Sequence, residues 1–182
     1  MNFSSLEYIN TLRESGTVLQ SSKYLINRCL KNIAFDKAKV IVELGMGNGC
    51  ITKEILERCD NNTTIISFEV NKKFCSYCQN KFKNNLSLKI LNKSAFDFQD
   101  ILEQNNISEV DYIISSLPIS LFDKNDTTKL LTNLKKTLKK EGHFIQYQYS
   151  LNHLKLIKNI FPKVTVDFTM LNIPPAFIYN CA

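Results

Sequence analysis

The chain has 182 residues, of which 44% are hydrophobic and 22% are charged, and its formal net charge is +6 at pH 7. This length and apolar content exclude a disordered chain and indicate one globular domain, or one domain with a short extension. No apolar run reaches the roughly 18–20 residues that span a bilayer, and the first residues lack the basic and apolar blocks of a signal peptide, so we expect a cytoplasmic protein.

The stretch 1–36 predicts two helices. Residues 3–14 repeat apolar side chains at every third position, which predicts a helix with a broad apolar surface. Such a helix packs on its own domain, covers a binding site or lies on a membrane. Residues 23–34 carry apolar side chains at core spacing and predict the second helix. We therefore predict a helical cap or lid over 1–36, with possible membrane contact, and a main domain over 37–182.

From residue 39 onward, strand and helix signals alternate. The predicted strands cover 39–44, 64–69, 87–91, 111–115, 143–149, 163–169 and 173–179. Helices are predicted between and after the first five of these strands, over 50–59, 71–82, 98–105, 126–139 and 151–160. The last two strands have only a short link and should form an antiparallel hairpin at one edge. The pattern predicts an α/β fold with a mostly parallel, seven-stranded sheet and helices on both faces.

The most informative stretch is an apolar run at 40–44 that carries one acid, Glu43, and breaks into glycine at positions 45, 47 and 49. Glycine allows a sharp turn and a close approach of ligand to backbone, and the following helix offers unpaired N–H groups. A second acid, Glu69, ends the next strand and can bind both ribose hydroxyls of a nucleoside. Because Cys50 replaces the third glycine of the dinucleotide fingerprint, the pattern favours S-adenosylmethionine (SAM).

In a sheet of this kind, ligands bind beyond the carboxyl ends of the strands. Four segments fall at those ends: 43–49, residue 69, 92–95 and 115–119. We expect them to form one active site.

Two other features are predicted to be structural. Cys75 and Cys78 form a Cys-x-x-Cys pair, but no second pair of ligands stands at suitable spacing, so we expect free buried thiols and no metal site. A group of lysines is expected to form a solvated helix face, with a weak footprint for anionic lipid or nucleic acid as the alternative; these are Lys135, Lys136, Lys139 and Lys140.

The glycine loop, Glu69 and the Ser116-Leu117-Pro118 segment together resemble class I SAM-dependent methyltransferases. Within that class the chain resembles the phospholipid N-methyltransferases, which methylate phosphatidylethanolamine. That family has an E-L-G-x-G-x-G loop, an S-x-L-P motif and a closing N-[LI]-P-P-A segment, matched here by 43–49, 115–118 and 172–176. Gln20-Ser21-Ser22 resembles its P-S-S motif, and 142–149 resembles its G-x-x-x-Q-x-x-Y strand.

This resemblance implies a Rossmann-like fold, SAM as the cofactor and S-adenosylhomocysteine as its product. It places the cofactor on the loop glycines and on the ends of the neighbouring strands. The implied cofactor-binding residues are Gln20, Glu43, Gly45, Met46, Gly47, Gly49, Glu69, Val70, Ser94, Ala95 and Ser115. Glu43 is expected to accept a hydrogen bond from loop backbone or from the cofactor's ammonium group.

The implied reaction is methyl transfer to the amine of a phosphatidylethanolamine-type lipid at a membrane surface. The protein would then associate reversibly with the inner face of the membrane. Ser116, Leu117 and Pro118 are expected to position the amine, and Tyr149 is expected to orient it through its hydroxyl. His143 is expected to be a sheet residue and not a general base.

The ribosomal RNA adenine dimethylases are a second, related family. Their N-[LI]-P-[YF] motif reads here as Ser116-Leu117-Pro118-Ile119, which removes the Asn acceptor and the aromatic platform for an extruded adenine. Nucleic acid is therefore not the expected partner. Lys93 stands where the lipid family has an acid, so backbone groups of Ser94 and Ala95 are expected to hold the adenine of SAM. A small-molecule amine as acceptor, or a SAM-binding module without catalysis, are further alternatives.

Overall fold

The computed structural model of the protein describes residues 21–182. Its strands are β1 (Val40–Leu44), β2 (Thr64–Phe68), β3 (Leu88–Leu91), β4 (Val110–Ser115), β5 (Leu138–Gln148), β6 (Val164–Thr169) and β7 (Ala176–Cys181). Its α-helices are α1 (Lys23–Leu30), α2 (Cys50–Arg58), α3 (Lys72–Lys81), α4 (Phe98–Gln104), α5 (Lys124–Thr137) and α6 (Leu154–Ile160). Short 3-10 turns cover Ala95–Asp97 and Ile119–Leu121. The predicted helix over 3–14 and Gln20 lie outside the described residues.

The seven strands form one sheet in the order β3-β2-β1-β4-β5-β7-β6. The first five pair in parallel, whereas β7 is antiparallel to both β5 and β6. The predicted mostly parallel sheet with a C-terminal antiparallel hairpin is thus confirmed. This topology brings the ends of β1 to β6 and the start of β7 to one side of the sheet, which we call the carboxyl edge.

Alternating side chains along the strands fill two cores, one on each face of the sheet. One core joins Ile41, Ile65, Ile114 and Ile145 to α1 and α2. The other joins the intervening residues of the same strands, such as Val42 and Phe144, to α4, α5 and α6. Burial on both faces explains why the strands are almost continuously apolar in sequence. Within residues 21–182, no helix has the length and apolar character needed to cross a membrane.

Helix α1 belongs to the sheet's own core. Ser22 caps it by accepting a hydrogen bond from the Leu25 N–H at 3.1 Å. Leu25, Ile26, Cys29 and Leu30 are buried against the sheet. The helix ends at Leu30, four residues before its predicted end. Part of the predicted 1–36 region therefore covers one face of the sheet.

The boundary between α5 and β5 differs from the prediction. The sequence predicted a helix to residue 139 and a strand from residue 143, but α5 ends at Thr137 and β5 begins at Leu138. Leu138 pairs with Val110, and the Lys139 ammonium contacts the Asp111 carboxylate at 2.7 Å. The four lysines therefore do not share one helix face, since Lys135 and Lys136 lie on α5 and the other two lie on β5. Long-range pairing with β4 outweighs the helical spacing of the leucines.

The start of the last strand also differs. We predicted residues 173–179, but β7 begins at Ala176. Pro174 and Pro175 lack the N–H groups that a strand ladder requires, so they remain in the loop after β6. This loop carries the Asn-Ile-Pro-Pro-Ala motif to the carboxyl edge.

Candidate active site

The glycine loop connects β1 to α2 and is fastened to the end of β2. The N–H groups of Gly45 and Met46 both donate to the Phe68 carbonyl at 3.0 Å. The Gly47 N–H donates to the Glu69 carboxylate at 2.7 Å. Gly45, Gly47 and Gly49 have φ values of 82°, 56° and 76°, a region that favours glycine. The loop is therefore fixed to the end of β2 by two main-chain bonds and by one bond to the Glu69 carboxylate.

The loop glycines serve different purposes. A Cβ atom at Gly47 would have no heavy atom within 4 Å, so this backbone borders open space. A Cβ atom at Gly49 would lie 2.6 Å from Phe82 Cε2 and 3.0 Å from Cys78 Sγ. We predicted that the glycines allow ligand approach. That expectation fits the space beside Gly47, but at Gly49 the close neighbour is the protein's own core.

Met46, also predicted to bind cofactor, is buried. Its side chain packs in a small cluster with Cys78 and Phe82 beneath the loop. Only its backbone can therefore face a ligand on the loop.

Glu43 lies beneath the loop and is 1% exposed. Its Oε2 atom accepts hydrogen bonds from the Thr52 hydroxyl at 2.6 Å and the Ser67 hydroxyl at 2.7 Å. These hydroxyls, which sequence reasoning missed, take the place of the expected loop backbone. Burial raises the pKa of Glu43 to about 7, although the two hydroxyls lower it, and the charge of Glu69 raises it further.

One oxygen of Glu43 stays unsatisfied. Among the described residues, Oε1 is buried and has no hydrogen-bond partner. A buried carboxylate oxygen of this kind under a glycine loop suits a cationic group such as the ammonium of SAM. Together with the space beside Gly47, it gives the site the properties that the expected cofactor requires.

Glu69 connects the loop to the end of β2. Its carboxylate accepts from the Asn71 N–H at 2.9 Å in addition to the Gly47 N–H. Asn92, which follows β3, donates its amide hydrogens to the carbonyls of Glu69 and Val70 at 2.8 and 2.9 Å. The ends of β1, β2 and β3 thus form one braced unit. Glu69, which is buried, thus lies beside the glycine loop, and Val70 follows it.

The Ser94–Ala95 segment follows β3 and turns into a capping box. The Ser94 N–H donates to the Asp97 carboxylate at 3.1 Å, and the Asp97 N–H donates to the Ser94 carbonyl at 3.1 Å. Both backbone groups of Ser94 are therefore used in holding this turn. The Ala95 carbonyl accepts from the Phe98 N–H, so of these backbone groups the Ala95 N–H is the one left to meet an adenine.

The segment 115–118, which we call the acceptor loop, leaves the end of β4 beside the glycine loop. The Ser116 N–H donates to the Leu44 carbonyl at 3.0 Å, and the Ser116 hydroxyl donates to the Gly45 carbonyl. The Ser115 hydroxyl accepts from the Leu117 N–H at 3.2 Å. The Ser116 bond to Gly45 joins two segments some seventy residues apart in sequence, both of which were expected to contribute to one site.

Gln146 on β5 holds the acceptor loop from the other side. Its side chain is fully buried, and its Nε2 atom donates to the carbonyls of Leu117 at 3.0 Å and Tyr147 at 2.8 Å. Gln146 belongs to the G-x-x-x-Q-x-x-Y strand, but its sequence pattern predicted no role for it. Its position across from Ser115 depends on the register of β4 with β5, which the local sequence pattern does not contain.

Tyr149 follows the end of β5 and is 48% exposed. Its ring lies edge-on to that of Tyr147, with centroids 6.1 Å apart. The Tyr147 hydroxyl is 3.1 Å from that of Ser21. Burial raises the pKa of both phenols, so each keeps its proton at neutral pH. Tyr149 therefore stands at the carboxyl edge, as expected, with a neutral hydroxyl.

Asn172 joins the closing motif to the start of α1. Its Oδ1 atom accepts from the Ser22 N–H at 2.9 Å, and its Nδ2 atom donates to the Pro174 carbonyl at 2.7 Å. The Ser22 hydroxyl donates to the Leu171 carbonyl at 2.6 Å, and the neighbouring Ser21 hydroxyl lies 3.1 Å from that of Tyr147. Three motifs that are distant in sequence thus meet at the carboxyl edge.

His143 and the cysteines take structural positions. His143 stacks on Tyr112 and its Nδ1 atom lies 2.7 Å from Asn180 Oδ1, as expected for a sheet residue. Cys75 and Cys78 are buried free thiols on α3. Over residues 21–182, no group of three or more metal-ligating side chains occurs.

Comparison with known proteins finds methyltransferases. The family described as Methyltransferase domain matches residues 41–142. The ornithine lipid N-methyltransferase of Singulisphaera acidiphila is 31% identical over 167 residues, covering 91% of this chain and 87% of that protein. An rRNA adenine N-6-methyltransferase of Lysinibacillus sphaericus is 33% identical over 78 residues, which covers 43% of this chain and 31% of that protein.

A solved structure shows the same fold. The O-methyltransferase from Bacillus cereus in complex with S-adenosylhomocysteine (SAH) superposes with a TM-score of 0.72, covering 100% of this chain and 92% of that one. Its sequence identity to this chain is 14%, so the likeness is one of fold.

Proposed function

This chain belongs to the methyltransferase domain family and is a SAM-dependent methyltransferase, and we propose that it methylates the primary amine of an amino-lipid head group. The observation that carries the proposal is Ser116, whose hydroxyl donates to the Gly45 carbonyl and so joins the acceptor loop to the glycine loop. The Ser-x-Leu-Pro and Asn-Ile-Pro-Pro-Ala motifs and the lipid-modifying relative support the same acceptor.

The motifs predict phosphatidylethanolamine as the lipid, and the relative is named for ornithine lipid. Both lipids offer a primary amine on a flexible head group. We take this amine as the chemical group that the site recognises, and the assay below separates the two lipids.

SAM supplies an electrophilic methyl group at the site. On this proposal the cofactor packs against the backbone of Gly45–Gly47, whose N–H groups already bind Phe68 and Glu69. Glu69 and Val70 lie at the ribose, and Ala95 lies near the adenine. Glu43 orients the start of α2 through Thr52 and leaves Oε1 for the cofactor's ammonium. Ser115 closes the cofactor side of the acceptor loop, and Gln20, outside the described residues, is proposed to complete the site.

The acceptor amine must be neutral to attack the methyl carbon. An alkyl ammonium has a pKa near that of lysine, about 10, so the site must remove water from the amine or accept its proton. Because the Ser116 proton is directed at the Gly45 carbonyl, its oxygen presents lone pairs that can accept an amine N–H. Pro118 fixes the backbone after Ser116 and Leu117, and Tyr149 orients the amine from the edge.

Gln146 is expected to position the acceptor loop without touching the substrate. Gln146→Met keeps the side-chain volume but removes the hydrogen bonds to the Leu117 and Tyr147 carbonyls. We expect the methyl-transfer rate to fall by about tenfold or more, because small misplacements of reacting groups are costly. The SAM dissociation constant, measured by calorimetry, should stay within about twofold of the wild-type value.

Gln148→Met is the matched control for this change. Gln148 is also buried on β5, but no hydrogen-bond partner of its Nε2 atom occurs among the described residues. We expect this variant to retain the wild-type rate. Equal rates in the Gln146 variant and the wild type would refute the positioning role.

The acceptor is tested by methyl transfer from labelled SAM to four substrates in parallel. These are vesicles with phosphatidylethanolamine, vesicles with ornithine lipid, total RNA and small primary amines. We expect label in the lipid phase of one or both vesicle samples and none with the Gly47→Arg variant as control. Label in RNA or small amines alone, with SAM bound, would refute the lipid proposal.

Adenine in RNA is the second candidate, favoured by the similarity to the rRNA methyltransferase. An extruded base needs an aromatic platform beside the acceptor loop. At the corresponding position, Ile119 is 1% exposed and packs in the core beneath the sheet. Because that side chain cannot stack on a base, the amine of a lipid is the better-supported acceptor.

A further inference from the structure

Apolar side chains are exposed on the loop between β6 and β7. Met170, Leu171 and Ile173 are 75%, 61% and 77% exposed, and we call these three residues the crest. Asn172, between them, is only 3% exposed and holds the loop to Ser22 and Pro174. The loop thus buries its polar residue and presents its apolar ones to the outside, which is the reverse of the usual arrangement.

The crest lies on the same edge of the sheet as the acceptor loop. Tyr149 and Leu151, which follow β5, are 48% and 44% exposed and extend the apolar surface. Tyr149 is itself one of the residues proposed to orient the amine. The apolar surface is therefore continuous with the residues proposed to receive the amine.

The described segments that adjoin the crest carry basic residues, and Asp167, three residues before Met170, is ion-paired with Arg28 and Lys31. Three segments meet at this corner of the carboxyl edge: 21–24, 149–155 and 169–176. They contain Lys23 and Lys155, both exposed, and no acidic residue. An apolar surface with basic residues at its margin fits the interface of an anionic bilayer, in which apolar side chains enter the acyl region and lysines meet the phosphates.

We propose that the crest inserts into the membrane surface and brings the acceptor loop to the lipid head groups. This inference rests on the proposed function, because only a lipid substrate requires the active site to meet a bilayer. The occupant of the crest is the bilayer itself. A second copy of the chain, or its own first twenty residues, which lead directly into Ser21, would be different occupants.

The chain contains no tryptophan, so a single introduced tryptophan reports its own surroundings. Met170→Trp places the reporter on the crest. Leu86→Trp is the matched control, since Leu86 is 98% exposed but precedes β3 at the opposite edge. We expect the emission of the crest variant to shift to shorter wavelength when vesicles of phosphatidylcholine with phosphatidylglycerol are added, and the control to stay unchanged.

A second measurement removes the apolar surface. Met170→Ser with Leu171→Ser should weaken sedimentation with the same vesicles by about tenfold or more, since buried apolar area drives interfacial binding. Leu86→Ser should sediment as the wild type does. Methyl transfer to a short-chain amino lipid below its micelle concentration should be unchanged in the double variant, because the acceptor loop is untouched.

Three outcomes would overturn the proposal. The first is no shift in the crest variant, and the second is an equal shift in both tryptophan variants. The third is short-wavelength emission from the crest variant before vesicles are added, which would mean that protein already covers the crest. The readout does not depend on catalysis. A shift of the crest variant without lipid methylation would refute the proposed acceptor but support insertion of the crest. Lipid methylation without a shift would support the acceptor and refute insertion.

Discussion

Replacing Gly47 with arginine is expected to abolish SAM binding while leaving the protein folded. A Cβ atom here meets no heavy atom within 4 Å, so the new side chain extends into the space proposed for the cofactor. The φ of +56° costs a non-glycine residue roughly 1–2 kcal/mol, which a folded domain tolerates. By calorimetry we expect SAM affinity to fall at least about a hundredfold, equivalent to about 3 kcal/mol.

Gly49→Ala is the control for this substitution within the same loop. Its Cβ would lie 2.6 Å from Phe82, so we expect a loss of stability of roughly 3 kcal/mol from overpacking and positive φ. Urea denaturation without cofactor measures this loss. If Gly47→Arg unfolded the protein and Gly49→Ala only weakened SAM binding, the assigned roles of the two glycines would be reversed.

The unfolding free energy of the cofactor-free protein is expected to fall as pH rises, because of Glu43. Its pKa is about 7 in the folded state and near 4.5 when unfolded. Below pH 4.5 both states hold the proton, and between the two values only the folded state does. Raising the pH from 5 to 8 should therefore remove about 2–3 kcal/mol of stability.

Glu43→Gln isolates this contribution. The glutamine oxygen can still accept from Thr52 and Ser67, but the side chain does not ionise. We expect urea denaturation at several pH values to give a flatter stability profile for the variant, which becomes more stable than the wild type above pH 7. Parallel profiles would show that Glu43 titrates alike in the folded and unfolded states.

The sequence predicted most of the sheet because its strands are buried on both faces and appear as short apolar runs. Where a boundary depended on distant pairing, prediction failed. Leu138 continues the leucine spacing of α5, but it joins β5 because Val110 pairs with it. Similarly, only the presence of two adjacent prolines could have excluded residues 173–175 from the last strand.

The sequence predicted which loops contribute to the candidate site, but not which of their side chains hydrogen-bond one another. Glu43, Glu69 and Ser116 were recognised because each ends or follows a predicted strand. The bond from Ser67 to Glu43 depends on the register in which β1 pairs with β2, where these two residues are opposite each other. That register, like the meeting of Ser22 with Asn172, is a long-range property that local patterns do not contain.

One thiol bears on how this enzyme handles a reactive methyl donor without modifying itself. Cys78 lies directly beneath the glycine loop and donates from its Sγ atom to the Gly47 carbonyl at 3.4 Å. The attacking form of cysteine is the thiolate, and burial raises the pKa of Cys78 to about 12. At neutral pH Cys78 therefore keeps its proton. The thiol beneath the glycine loop is thus kept unreactive, so that the methyl group is transferred to the acceptor and not to Cys78.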